Sequence, residues 1–215
     1  MHLHPAQHRA DGALANHLAV VEQDALAGPG GSARDAADDR QPRIVLAELA
    51  SRPALERIKE AIGELDAGER TLAAQGLLLG IVIDPNQPEY ERGDFLIRGL
   101  LDVDDQAGTV TVGEQVRIGQ TVRLQVRDGD SADEDLRSVL DGQLRELRHP
   151  PAGTLLFTCN GRGAGMFGVE DHDASALDDA FAGAPAAGFF CAGEIGPVGD
   201  RNFLHGFTAT MAVFA

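Results

Sequence analysis

Only Cys159 and Cys191 represent cysteine in 215 residues. Two widely separated thiols cannot form the dense disulfide framework of a small secreted scaffold, so reduced thiols in a cytoplasmic setting are the expectation. Basic residues are also few, with 18 Lys and Arg against 34 Asp and Glu and a formal net charge of -16. That balance repels phosphate backbones and anionic headgroups, so neither nucleic acid nor membrane is expected as a partner. The chain contains no run of 18 apolar residues, and its start, MHLHPAQHRADG, lacks a basic segment followed by an apolar signal core. No internal repeat interrupts it.

What the chain does contain is ordinary globular composition, 43% hydrophobic and 24% charged, enough for a packed core. Residues 1–42 are the exception. They alternate Ala, Asp, His and Gly around the breaker run Gly28, Pro29, Gly30, Gly31 and Ser32, and are expected to form a disordered tail. The one helical spacing in the tail is Leu14, Leu18 and Val21, which would place a short helix over Asp11 to Ala27.

Order is expected over residues 43–215. IVLAEL reads as a short strand, and Pro53 then suits the first turn of a helix whose apolar stripe is Leu55, Ile58, Ile62 and Leu65. Extended segments follow over Leu77 to Ile83, Asp94 to Leu101 and Gln120 to Arg127, with a hairpin through the Asp and Gly of residues 102–108 into TVTV. Ser131 and Glu134 stand at capping-box spacing before a helix with Leu136, Leu140 and Leu144 on one face, ending at Leu147 before Pro150 and Pro151. The remainder reads as a strand from Gly153 to Cys159, a glycine-rich loop to Gly168, a helix after Asp173, a strand from Ala187 to Cys191, a loop, and a last strand from Gly206 to Phe214. The fold class is α+β, a largely antiparallel sheet with packed helices behind a disordered tail.

Four features could carry chemistry. Gly161, Gly163, Gly165 and Gly168 follow a strand, but their spacing is not that of a dinucleotide loop, and the Walker pattern is missing. Asp171, His172 and Asp173 are metal-type ligands, yet three successive side chains rarely converge on one ion, so Asp173 is read as a helix N-cap. Cys159 ends an apolar strand beside Arg162, where a cation could activate a thiol, with His205 as a base elsewhere; a small buried hydrophobe is the alternative. Finally, GFFCAGEIGPVGDRNFLHGFT sets glycines around Glu194, with Asn202 and His205 following. A buried carboxylate there needs a partner, and Arg162 is the nearest in kind. The Arg162 and Glu194 loops are expected to converge at one end of the sheet, either as a ligand site or as a salt bridge that ties two loops.

The segments ERGDFLIRGLL, VRIGQTVRLQVRD, LLFTCNGRG with MFG and DHD, and GFFCAGEIGPVGDRNFLHGFTATMAVF resemble, in this order, the C-terminal domain of the FIST family, the F-box and intracellular signal transduction proteins. The resemblance spans roughly Arg43 to Ala215. It implies a sensory module for small ligands such as amino acids, with a FIST N-terminal domain or a signalling protein as partner, no cofactor and no metal. Such members carry a FIST N-terminal domain before this region, and the tail does not resemble one. On that reading Arg162, Glu194, Asn202, His205 and Cys159 are the candidate ligand-binding residues, none is catalytic, and the protein is not an enzyme. The alternatives are an interaction module without a pocket and a redox sensor using Cys159.

Overall fold

The computed structural model describes residues 2–6, 18–22, 42–90, 93–147, 149–199 and 201–215. Contacts separate two units: one holds Asp128–Ala215 with the strand His2–Ala6, the other holds Leu18–Glu22, residues 42–90 and residues 95–127. Helices and mainly antiparallel sheets make the chain α+β. No helix among the described residues is long and apolar enough to cross a membrane.

The second of these units is an antiparallel sheet. Its strands are β2 (Leu18–Glu22), β3 (Ile44–Leu46), β4 (Glu48–Leu49), β5 (Arg52–Pro53), β6 (Leu77–Val82), β7 (Phe95–Asp104), β8 (Thr109–Val112) and β9 (Thr121–Val126), in the order β3-β8-β7-β6-β9-β2-β4-β5. Helix α1 (Ala54–Glu64) buries Ala54, Leu55, Ile58 and Ala61, close to the stripe read from the sequence, with Pro53 in the N-cap position. Helix α2 (Ala67–Gln75) was not foreseen. It begins at a complete capping box in which Asp66 accepts from the Glu69 backbone N–H and Glu69 accepts from that of Asp66.

The first unit carries the site. Its strands β1 (His2–Ala6), β10 (Gly153–Cys159), β11 (Ala186–Cys191) and β14 (Ala209–Phe214) lie in the order β1-β14-β10-β11. β10 is antiparallel to β14 but parallel to β11, so the chain must cross over between β10 and β11, as parallel neighbours require. The crossover contains a 3-10 turn (Asn160–Arg162), α4 (Ala164–Phe167) and α5 (His172–Ala180). On one face of the sheet Leu156, Met211 and Val213 meet Leu136 and Leu140 of α3 (Gly129–Glu146) and Leu177 of α5 in a single apolar cluster.

Several local expectations give way in the structure. Asp128, not Ser131, caps α3, accepting from both the backbone N–H and the hydroxyl of Ser131. Leu144 is 39% exposed while Gln143 is buried, because a repeat of four drifts around a helix of 3.6 residues per turn and has left the core face after two steps. The expected loop after Cys191 is a hairpin of β12 (Glu194–Val198) and β13 (Arg201–His205). Of the tail, His2–Ala6 pairs with β14 and Leu18–Glu22 pairs with β9 and β4. A strand therefore stands within the span where a helix over residues 11–27 was expected, and the rest of that span lies outside the described residues.

Candidate functional site

Alternation along β10 sends Thr154, Leu156 and Thr158 to the helix-covered face, so the last of them presents its hydroxyl where the crossover begins. The 3-10 turn that follows swings Arg162 back inside, leaving its side chain 1% exposed. Gly161 permits this turn, since a Cβ there would lie 2.1 Å from the Phe207 ring.

The counter-charge comes from the first turn of α5. Arg162 donates from Nε to Asp173 Oδ2 at 2.7 Å and from Nη2 to Asp173 Oδ1 at 2.8 Å, a bidentate fork, and the Thr158 hydroxyl donates to the same Oδ2 at 2.7 Å. Burial pushes the Asp173 carboxyl toward neutrality, but the hydrogen bonds and charge of Arg162, aided by Thr158 and His172, overcome this and hold it below the usual carboxylate range. Asp173 is therefore not the expected N-cap. That position belongs to Asp171, in the left-handed region at φ 53°, with no capping bond from its side chain, while Asp173 turns inward to neutralise a buried guanidinium.

His172 extends the network. Its Nδ1 lies 3.0 Å from Asp173 Oδ1 and its Nε2 lies 2.9 Å from Asp133 Oδ1, and Asp133 also accepts from Arg137 Nε at 2.9 Å. Burial raises the Asp133 carboxyl, and Arg137 and His172 more than offset it, leaving a lowered value. Phe167 stacks on the imidazole with ring centroids 3.6 Å apart and planes 6° from parallel, and lies 5.0 Å from the guanidinium carbon of Arg162.

These groups floor a groove of about 260 Å³ between α5 and β11. Thr158, Arg162, His172 and Asp173 supply the polar floor; Leu156, Leu177, Ala174 and residues 186–190 supply apolar walls. The β11 wall stands unusually close to β10 at Gly188, where a Cβ would come within 1.8 Å of the Leu156 carbonyl oxygen.

A second polar cluster sits where β10 and β11 end. Glu194 is buried; its Oε2 accepts from the Thr208 hydroxyl at 2.8 Å and backbone N–H at 3.3 Å, and its Oε1 accepts from the Cys191 thiol at 3.3 Å. Burial, then the neighbouring Glu194, push the Cys191 thiol up to about 11. Cys159 is buried opposite Cys191 in the β10–β11 register, and both thiols are free. His205 faces Glu194 across the hairpin and donates from Nε2 to the Gly196 carbonyl at 2.9 Å.

Of the five residues singled out in the sequence, Arg162 lines the groove. Glu194, Cys159 and His205 belong to the strand-end cluster, and Asn202 is exposed on β13 opposite Pro197. The fork of Arg162 goes to Asp173, whereas Glu194 is satisfied by Thr208 and Cys191, which corrects the expected pairing of Arg162 with Glu194. Thr158, His172 and Asp173 were missed as groove residues. The available signal was the pair of acids around His172 just after a glycine loop that contains Arg162, a cation that demands an acid once buried.

The family model described as FIST C domain matches residues 54–197. The uncharacterized protein Rv0628c of Mycobacterium tuberculosis strain H37Rv is 52% identical over 170 residues, which is 79% of this chain and 44% of that protein. The uncharacterized protein Mb0898c of Mycobacterium bovis is 50% identical over 171 residues, 80% of this chain and 44% of its own length. The chain thus spans less than half the length of the curated relatives it matches.

Proposed function

Because the chain belongs to the FIST C domain family, which points to a sensory domain of signal transduction, we propose that its groove between α5 and β11 is the sensing site and takes a small polar molecule, amino acids first among the candidates. The observation that carries this reading is a polar floor, the Arg162–Asp173 fork with Thr158 and His172, beneath apolar walls. Ligand sites are built in this way, apolar for affinity with a few fixed polar groups for orientation. At about 260 Å³ the groove lies just below the range of drug-sized pockets, which restricts the ligand to a small molecule. The fork and the Thr158 hydroxyl fix the floor before any ligand arrives, and preorganisation of this kind lowers the cost of binding.

The role is binding rather than catalysis. The two thiols give little support to nucleophilic or redox chemistry, since Cys159 is buried and the raised Cys191 thiol is the reverse of an activated one.

A thermal-shift panel of amino acids and related small zwitterions tests the proposal. A ligand present at about 100 times its Kd stabilises the folded form by about 2.7 kcal/mol, which raises the melting temperature of a chain this size by roughly 5–11 °C. Ala174→Leu, at an exposed position of α5 that lines the groove, should abolish the rise while leaving the unliganded melting temperature within about 2 °C. A panel without any rise at millimolar ligand, or a rise that survives Ala174→Leu, refutes this assignment.

A further inference from the structure

Strand β11 ends the sheet order β1-β14-β10-β11, and among the described residues no strand pairs with its outer edge. Its side chains are not those of a protected edge. Natural edges carry lysine, proline, a bulge or inward charge to prevent pairing with other chains, whereas β11 reads AAGFFC. All of Ala186 to Phe190 is exposed, with Phe189 at 63% and Phe190 at 52%. Successive residues of a strand point to opposite faces, so these two aromatics stand above and below the same open ladder. Around them, from Ala180 to Gly193, the chain carries no charge at all, although its net charge is -16.

We infer that β11 is a docking edge, and that its occupant is a strand from a domain equivalent to the portion of the relatives that lies outside the matched region. That portion is more than half of each relative, because the match covers 44% of their length. The chemistry of recognition follows from the edge. Unpaired backbone N–H and C=O groups of β11 call for an extended partner strand, and an uncharged apolar sequence is needed to lie beside Phe189 and Phe190 without burying an unpaired charge. A partner there would also wall the open side of the groove, since residues 186–190 form one of its sides. The inference rests on the edge itself and stands whether or not the groove binds an amino acid.

Hydrogen exchange compares the two situations directly. In this chain, the β11 amides that face away from β10 should exchange as open amides. In the full-length Mycobacterium tuberculosis relative, the amides of the aligned strand should exchange slower by about a hundredfold or more, as for a paired strand. Placing Glu at the two relative positions aligned with Phe189 and Phe190 should restore fast exchange there while leaving the strand aligned with β14 protected. Equal exchange in the two proteins overturns the inference, and so does protection in the relative that survives both Glu substitutions. Sedimentation of this chain completes the test: a monomer is expected, and a dimer in which β11 is protected would make a second copy the occupant and overturn it as well.

Discussion

Replacing Asp173 by Asn keeps the size of the side chain but removes the charge that the Arg162 guanidinium faces. The side chains are 3% and 1% exposed, so water cannot take over the role of the lost carboxylate. Breaking a buried pair by removing one partner costs about 3–5 kcal/mol, most of it the penalty of leaving the other charge uncompensated. For a chain of this size that is a fall in melting temperature of roughly 6–20 °C. Arg162→Met should cost a similar amount. The double variant Arg162→Met with Asp173→Leu should cost far less than the two single changes added together, because no charge is left stranded. Urea and thermal denaturation followed by circular dichroism at neutral pH give all the values needed. The folded-state pKa of Asp173 lies below its unfolded value, so its contribution is present above the ordinary carboxylate range and is lost as the pH falls through the folded value. The difference in stability between wild type and Asp173→Asn should therefore shrink on acidification. Asp173→Asn within about 1 kcal/mol of wild type, or a double variant as unstable as the summed singles, would refute the view that the fork is a mutually compensating pair.

Two other expectations follow from single contacts. Gly188→Ala drives a methyl group into the Leu156 carbonyl, and the backbone of β10 cannot swing aside as a side chain would, so a loss of about 1–3 kcal/mol is expected by the same denaturation assay. Cys191 should alkylate with iodoacetamide at pH 8 at least about tenfold slower than an ordinary exposed thiol, with the rate climbing until the pH approaches 11, and Glu194→Gln should shift that profile to lower pH; a pH-independent or free-thiol rate contradicts the raised pKa.

How much of this was legible in the sequence depended on whether the cause was local. β10 was read to the residue from its apolar run and flanking Pro151 and Asn160, and α1 from a stripe at three- and four-residue spacing. Helix α2 carried a local signal too, Asp66 followed by Glu69, but its weak amphipathic pattern and Gly68 concealed it. The β12–β13 hairpin was read as a loop because Gly196, Pro197 and Gly199 argue against strands, although Gly199 at φ 60° is the turn residue that joins them. The strands at His2–Ala6 and Leu18–Glu22 complete their ladders with β14 and β9, far along the chain, and nothing in their own composition announces that. The site shows the same division. The sequence could mark Arg162 as a cation inside a glycine loop, but the choice between Asp173 and Glu194 as its partner is made by the crossover, which carries α5 back over the end of β10.

The parallel pairing of β10 with β11 gives this unit a polarity that an antiparallel hairpin would not. Both strands run out at the same end, so the segments that follow them, residues 160–168 and 192–193, emerge side by side while the entrances of both strands lie at the opposite end. In open sheets of parallel strands, ligand chemistry gathers outside the carboxyl ends for this reason. The consequence here is a division of labour that selection or a designer can exploit. Changes at residues 153–154 and 185 act on the stability of the frame, whereas the segments after Cys159 and Cys191 can be rewritten in length and composition, one of them bearing Arg162 and leading to Asp173, to alter what is recognised while the two strands beneath keep their register.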